Sequence, residues 1–348
     1  VSEIVSQGSI DSLQEQARVQ SERDSKRALR LRSLMQNAGV LIPFVLILGL
    51  CVAFVPNFLS ASNVTNVLIG SAILGIIGLG QTVVIGVRGI DLSVGSAQAL
   101  VACSTAIAMA HGGALAGVVC GIGVGLITGL INGLLVTQLR VPDFIATLST
   151  MSVYRGAVLL ITGGAPVVIS SIGFKGFATT SVIGLPLPFI VAMAIGFAWW
   201  LVVARARFGR HLIAVGDAPA AATDSGISVS RMVVSAYVLC GLMAGVAGVL
   251  LASQLGIVNG TVSTGLELKA IAIVVLGGTS MMGGRPRIVG TLIGALLLSM
   301  IYAALNLLNV SSFYQYIALG ALLVFALSLD SLQRAVVKKA FLGGKASR

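Results

Sequence analysis

The chain has 348 residues, 57% of them hydrophobic and 9% charged, and its mean hydropathy is +1.03. A water-soluble domain is about 45–50% apolar and about 25% charged, so this composition excludes a single soluble core and makes the bilayer the solvent. The net charge of +11 does not mark a nucleic-acid binder, because the basic residues are spread among loops and form no dense patch.

Residues 1–38 carry six Lys/Arg and five Asp/Glu and read as a solvated cytoplasmic tail, helical in part over 13–34. An N-terminal signal peptide is not expected, since the first apolar run begins after this tail and many more follow. Ten apolar segments come next, at 39–55, 64–87, 92–110, 113–136, 143–162, 187–204, 233–255, 270–282, 288–309 and 313–330. They lack the period-two alternation of barrel strands, so they are expected as helices. The fold expected is an all-α polytopic membrane protein with about ten transmembrane segments and one membrane domain over 39–330. A basic cytoplasmic tail follows at 331–348. The 43 glycines suit helices that pack closely through small side chains. Cys51, Cys103, Cys120 and Cys240 all lie inside apolar runs and read as small buried hydrophobes, not metal ligands or disulfide partners.

Charge placement orients the segments. With the N-terminus inside, the cytoplasmic stretches hold 19 of the 22 Lys/Arg, leaving only Arg155, Lys175 and Lys269 elsewhere. That asymmetry is what the positive-inside rule requires, and it puts both termini in the cytoplasm.

Along the chain, "GIDLSVG" at 89–95 admits two readings. It is either an ordinary helix start with Asp91 as N-cap of a span beginning at Leu92, or a broken helix near a pathway, where irregular backbone is tolerated. Gln81, Gln98, Asn132, Asn306 and Gln315 are polar residues within spans, suited to hydrogen bonds between helices. Arg155 lies about 18 Å along its segment. It either reaches the membrane interface or turns inward to pair with Glu267 or order the mouth of a pathway. Trp199 and Trp200 read as interface anchors. Lys269, two residues after Glu267, would not face it on a helix. Segment 270–282 is short and runs into "LGGTSMMGG", as half of a broken helix would. "VGLITG" (124–129) resembles "VGTLIG" (289–294), and 86–95 occupies the place in its half that 276–284 has in the other, as in an inverted repeat.

The polar stretch "FGRHLIAVGDAPAAATDSGISV" at 208–229 contains a short helix of its own. Asp217 is its expected N-cap, Pro219 suits its first turn, and Gly226 ends it. Such a helix is either a connecting loop or a docking element whose small side chains let another protein approach.

This stretch resembles the cytoplasmic loop of bacterial ABC-importer permeases of the ribose/xylose/galactose type. "GIDLSVG", "NGLLV" (132–136), "VPDFIATLSTMSVYRGAVLLITGG" (141–164) and "GLELKAIAIVVLGGTSMMGGRPRIVGTLIGALLL" (265–298) resemble the same family in the same order. The resemblance implies a type II importer permease in the bacterial inner membrane, paired with an identical or similar second permease. ATP and Mg would be bound by a separate ATP-binding cassette ATPase, and a periplasmic sugar-binding protein would deliver the solute. It makes Gly209, Arg210, Asp217, Pro219, Ala220, Ala221, Asp224, Ser225 and Gly226 the ATPase-coupling residues. Asp91, Asn132, Arg155, Glu267 and Asn306 are candidates for the pathway or gate. The family often has an acidic residue at the position of Lys269 and Asn at that of Asp217.

No Gly-rich loop ends in Lys-Ser/Thr, so the chain is expected to bind no nucleotide or other cofactor, and with no reactive constellation it is not expected to be an enzyme. Partners besides proteins are expected to be membrane lipid and not nucleic acid. The alternatives are an ion-coupled secondary transporter, and an ABC permease for branched-chain amino acids or nucleosides. The first would want an intramembrane carboxylate, whereas Asp91, Asp143 and Glu267 all lie near segment ends.

Overall fold

The computed structural model describes residues 40–324, with Ser328 beyond them; the tails expected at 1–38 and 331–348 lie outside the described residues. The described residues form α1 (Val40–Phe54), α2 (Ala61–Gly86), α3 (Val94–Thr137), α4 (Asp143–Thr162), α5 (Ile172–Phe177) and α6 (Leu187–Arg205). Then follow α7 (Arg207–Asp217), α8 (Pro219–Asp224), α9 (Val229–Leu255), α10 (Leu266–Leu276), α11 (Ile288–Leu307) and α12 (Ser312–Val324). Helices α2, α3, α4, α6, α9 and α11 are long and apolar enough to cross a membrane. The ten apolar segments each fall on a helix or, for 92–110 and 113–136, on one half of α3.

α3 is a hairpin. Its 44 residues break at Gly113, whose φ of 76° and ψ of −176° are open essentially to glycine alone. Beyond the break the chain folds back: a Cβ at Gly117 would lie 2.8 Å from the Thr105 carbonyl oxygen, and one at Gly121 would overlap the Thr105 side chain. Two antiparallel arms result, where a straight helix of that length would span about 66 Å.

The second arm carries glycine at every fourth position, Gly117, Gly121, Gly125, Gly129 and Gly133, which puts them on one helical face. α9 lies directly on this stripe. A Cβ at Gly125 would be 2.7 Å from Gly245 Cα, and one at Gly133 would be 3.0 Å from Val234 Cα. The two backbones therefore touch, the small-residue packing through which membrane helices gain van der Waals contact without a hydrophobic drive.

α2 is the central helix. Every residue from Ser71 to Gly86 is buried, so it is apolar all round, with α9, α11, α6 and α10 about it. Thr82 and Thr291 share a hydrogen bond of 2.7 Å between α2 and α11. α4 packs on α3, where the Tyr154 hydroxyl donates to the Thr128 carbonyl at 3.0 Å.

α10 has 11 residues, about 16 Å of helix against a hydrocarbon layer of about 30 Å. It is followed by non-helical backbone up to Arg287, as the sequence suggests for half of a broken helix. The end of α9 remote from α8 is covered by short pairings. β1 (Val167–Val168) lies antiparallel to β4 (Ile257–Val258), with Val167 opposite Val258. β2 (Ser181–Val182) and β3 (Leu185–Pro186) form a small hairpin against α2 and α6.

Replacing Gly129 with leucine should abolish accumulation of folded protein, since its Cβ would overlap the Tyr237 carbonyl. Overpacking of this kind costs about 1–3 kcal/mol or more. Gly156, with nothing within 4 Å of its Cβ position, should accept leucine without loss. Thermal unfolding followed by size-exclusion chromatography in detergent compares the two.

Candidate functional site

Between α2 and α3 the backbone leaves helical geometry at 87–93, where Val87, Asp91 and Ser93 are buried, Gly89, Ile90 and Leu92 half-buried and Arg88 exposed. α2 ends in a C-terminal cap in which the Gly89 N–H donates to the Val84 carbonyl and the Arg88 N–H to the Ile85 carbonyl, each at 2.9 Å. Arg88 occupies the left-handed position of that cap, with φ of 69°.

The polar groups of Ile90, Asp91 and Ser93 that follow have partners from several elements. The Ile90 N–H donates to Asp143 Oδ2 at 2.8 Å, and the Ile90 carbonyl accepts from the hydroxyls of Thr147 and Tyr237, both at 3.2 Å. Gln81, fully buried on α2, bridges the backbone of Asp91. With its amide nitrogen on the Asp91 carbonyl and its oxygen on the Asp91 N–H, both contacts are 3.2 Å.

The Asp91 carboxylate is also buried. Its Oδ1 accepts from the Ser93 N–H at 2.8 Å and the Ser93 hydroxyl at 2.7 Å. The Asn132 amide donates to both carboxylate oxygens at 3.3 Å and to Ser93 Oγ at 2.8 Å. Asn132 Oδ1 in turn accepts from Thr150 at 2.7 Å and from Tyr154 at 3.3 Å. Asp91 and Asn132 are thus brought together, 41 residues apart in sequence. Asp91 is not the N-cap of a span beginning at Leu92: α3 starts at Val94 behind Ser93, and Asp91 makes a local turn onto Ser93. The turn wins because Asn132, from the returning arm, holds both residues at once.

The second assembly lies around α7 and α8. α7 was not anticipated, although Gly209, Leu212, Val215 and Gly216 have the spacing of one helical face and are its buried residues. Gly209 lets α7 turn tightly off α6, since its Cβ would come within 2.6 Å of the Val202 carbonyl oxygen. The Arg210 guanidinium donates to the Arg205 carbonyl at 3.1 Å.

Asp217 closes α7 and does not cap α8, whose N-cap is Ala218. The reason is tertiary. Arg88 Nε donates to the Gly216 carbonyl at 2.6 Å and its terminal nitrogen to the Asp217 carbonyl at 2.5 Å, so a distant arginine finishes α7. Pro219 then opens α8, and Gly226 ends it with φ of 79°. The Gly226 and Ile227 N–H groups donate to the Thr223 and Ala222 carbonyls, each at 2.9 Å. Ala222 faces inward, while Ala220, Ala221, Thr223, Asp224 and Ser225 are exposed.

The other candidates are elsewhere. Arg155 donates to the carbonyls of Gly260 and Val262, the latter at 3.0 Å, and forms no ion pair with Glu267 among the described residues. It satisfies the non-helical backbone that runs from α9 to α10. Glu267, in the first turn of α10, lies against the start of α3, its Oε2 2.6 Å from the Cβ position of Gly95. Lys269 sits over the Tyr302 ring at 4.3 Å. Asn306 is exposed near the end of α11 and accepts from Gln315 at 2.8 Å, away from the other four candidates. Among the described residues no three His, Cys, Asp or Glu side chains gather as a metal ion would need.

Asn132→Leu should lower unfolding stability by about 2 kcal/mol, the cost of stranding buried hydrogen-bonding groups. The same change in an Asp91→Asn background should cost less than the sum of the two singles, because the side chains act on each other directly. Detergent thermal-unfolding curves for the four proteins measure both quantities.

Residues 63–327 match the family described as branched-chain amino acid transport system / permease component. The ribose import permease of Bacillus subtilis is 40% identical over 314 residues, 89% of this chain and 97% of that protein. The D-allose transport system permease of Escherichia coli is 35% identical over 318 residues, covering 90% and 98%. The L-arabinose ABC transporter permease of Azospirillum brasilense is 34% identical over 311 residues, covering 86% and 89%. No solved structure matches the chain. With helices fit to cross a membrane several times and a family match over most of its length, the chain is a multi-pass membrane protein that belongs to the ABC-importer permease family of the branched-chain amino acid transport system / permease component type.

Proposed function

We propose that this chain is the transmembrane subunit of an ATP-driven importer for ribose or a related monosaccharide or polyol. The observation that carries the proposal is the exposed, separately capped α8 with its small side chains, in a chain that resembles sugar-import permeases over nearly its whole length. A solute channel has no use for such a helix, whereas a motor protein needs a rigid, closely approachable contact.

In this proposal α8 is the coupling helix, and Pro219, Ala220, Ala221, Asp224, Ser225 and Gly226 enter or frame a cleft on an ATPase that binds ATP and Mg. Gly209, Arg210 and Asp217 hold α7 behind it. The α8 end is cytoplasmic, as the positive-inside distribution supports, and so are both termini. The helices and α3 arms make ten spans of the inner membrane, with α10 reaching only part of the way. A second permease, identical or similar, completes the pathway, and a periplasmic binding protein delivers solute at the opposite end. Asp91 and Asn132 brace the broken segment that borders the pathway, and Arg155 and Glu267 do the same for the segment leading into α10.

An ion-coupled mechanism is disfavoured because the buried Asp91 carboxylate is engaged locally by Ser93 and Asn132. Branched-chain amino acid import is the second reading, favoured by the family description itself.

Purification of the chain from native membranes should bring an ATP-binding protein with it. Enlarging Ala220, Ala221 and Ser225 to bulky residues should release that protein while leaving the permease folded; retention of the ATPase would move the contact elsewhere. Uptake by cells expressing the full system should be competed by ribose, allose or arabinose. Competition by leucine alone would select the amino-acid reading.

A further inference from the structure

Arg88 is costly where it stands. It holds the left-handed position of the α2 cap, φ 69°, which glycine takes without strain and which is strained for residues that carry a Cβ. Gly89 is the very next residue, so the chain has glycine beside the position that would best use it. The backbone does not ask for arginine here; the side chain must.

That side chain reaches the last two carbonyls of α7, Gly216 at 2.6 Å and Asp217 at 2.5 Å. A guanidinium at a helix C-terminus is favoured by the unpaired carbonyls and by the helix dipole. Only Ala218 separates this contact from the first residue of α8. The surrounding backbone leaves no slack. The Gly284 N–H donates to the Gly86 carbonyl at 3.0 Å, a Cβ on Gly216 would overlap both of those groups, and one on Gly283 would come 2.6 Å from Arg88 Cγ.

On the other side of Arg88 the chain is held just as firmly. Two residues on, Ile90 is fixed by Asp143, Thr147 and Tyr237; the next residue is Asp91, held by Gln81, Ser93 and Asn132. The backbone from Arg88 to Asp91 is therefore held by hydrogen bonds at both ends, to the root of α8 at Arg88 and to the buried Asn132 at Asp91.

We infer that Arg88 is a positioning residue that locks α7–α8 to the non-helical 87–93 segment, so that a displacement of α8 moves Asp91 and Asn132 with it. This rests on α8 being the contact with an ATPase. Arg88 is exposed, so removing its side chain opens no cavity in the core. Its loss should uncouple the two regions rather than unfold them.

Arg88→Gly separates this role from a structural one, because glycine relieves the left-handed strain while deleting the clamp. In the purified permease–ATPase complex reconstituted in vesicles, R88G should unfold no earlier than the parent and hydrolyse ATP at a comparable rate. Sugar moved per ATP should fall by about tenfold, within the usual range of coupling between sites, and R88K should recover part of it. A parent-like ratio of transport to hydrolysis in R88G, with the ATPase bound, would overturn the inference while sparing the importer proposal. If no ATPase accompanies the parent chain, the importer proposal falls and the inference falls with it. Should R88G fail to accumulate, the same ratio is read from R88Q, and a parent-like value there overturns the inference equally.

Discussion

Backbone amides and carbonyls removed from helices inside an apolar protein must find partners within that protein, because lipid offers none. In this chain that constraint falls hardest on 87–93. Its hydrogen bonds go to side chains from four other elements: Gln81 on α2, Asn132 on the second arm of α3, Asp143 and Thr147 on α4, and Tyr237 on α9. Three buried polar residues of the interior, Gln81, Asn132 and Thr147, are therefore committed to one short piece of irregular chain. Moving that piece would require moving the helices that hold it, and this makes it suited to carry force.

The glycine stripe on α3 serves the same end by other means. Where Gly125 meets Gly245 and Gly133 meets Val234, backbone lies on backbone, so α3 and α9 cannot slide without collision. Asn132 and Tyr237 both project from this seam, one from each helix, and both reach the 87–93 segment. Two of the donors that fix the irregular segment thus stand on a pair of helices whose backbones touch. At the α8 end, glycines again bring backbones together, Gly86 with Gly216 and Gly284, and Arg88 adds side-chain hydrogen bonds to the Gly284–Gly86 backbone bond. Close packing is kept where elements must move together. α8, by contrast, stands out with one buried residue of six.

Much of this was legible in the sequence, for physical reasons that differ by element. Apolar runs identify themselves by length and composition, so among the described residues each of the ten segments falls on a helix or an α3 arm, and six of those helices are long and apolar enough to cross a membrane. The short α10 was legible because "LGGTSMMGG" follows it at once. α8 was announced by Pro219 and Gly226, which act locally on backbone angles. Its start was misjudged at Asp217, since the residue that ends α7 is Arg88, 129 positions away. The same failure applies to Asp91, whose partner Asn132 arrives only when α3 folds back. Arg155 was recognisable as a charge needing a partner, but backbone carbonyls of Gly260 and Val262 carry no sequence signature of that role. The left-handed backbone of Arg88, the clue to its cost, is a property of the fold and has no local signature in the sequence.

Hydrogen–deuterium exchange of the peptide spanning 84–95, in the intact complex with and without trapped nucleotide, tests the central claim most directly. If 87–93 is a rigid link, its amides, though outside any helix, will stay about as protected as those of α2 and α3 in both states. Exchange of this segment within seconds, while its neighbours remain protected, would mean that it is slack, and a slack segment cannot carry motion from α8 to the membrane interior.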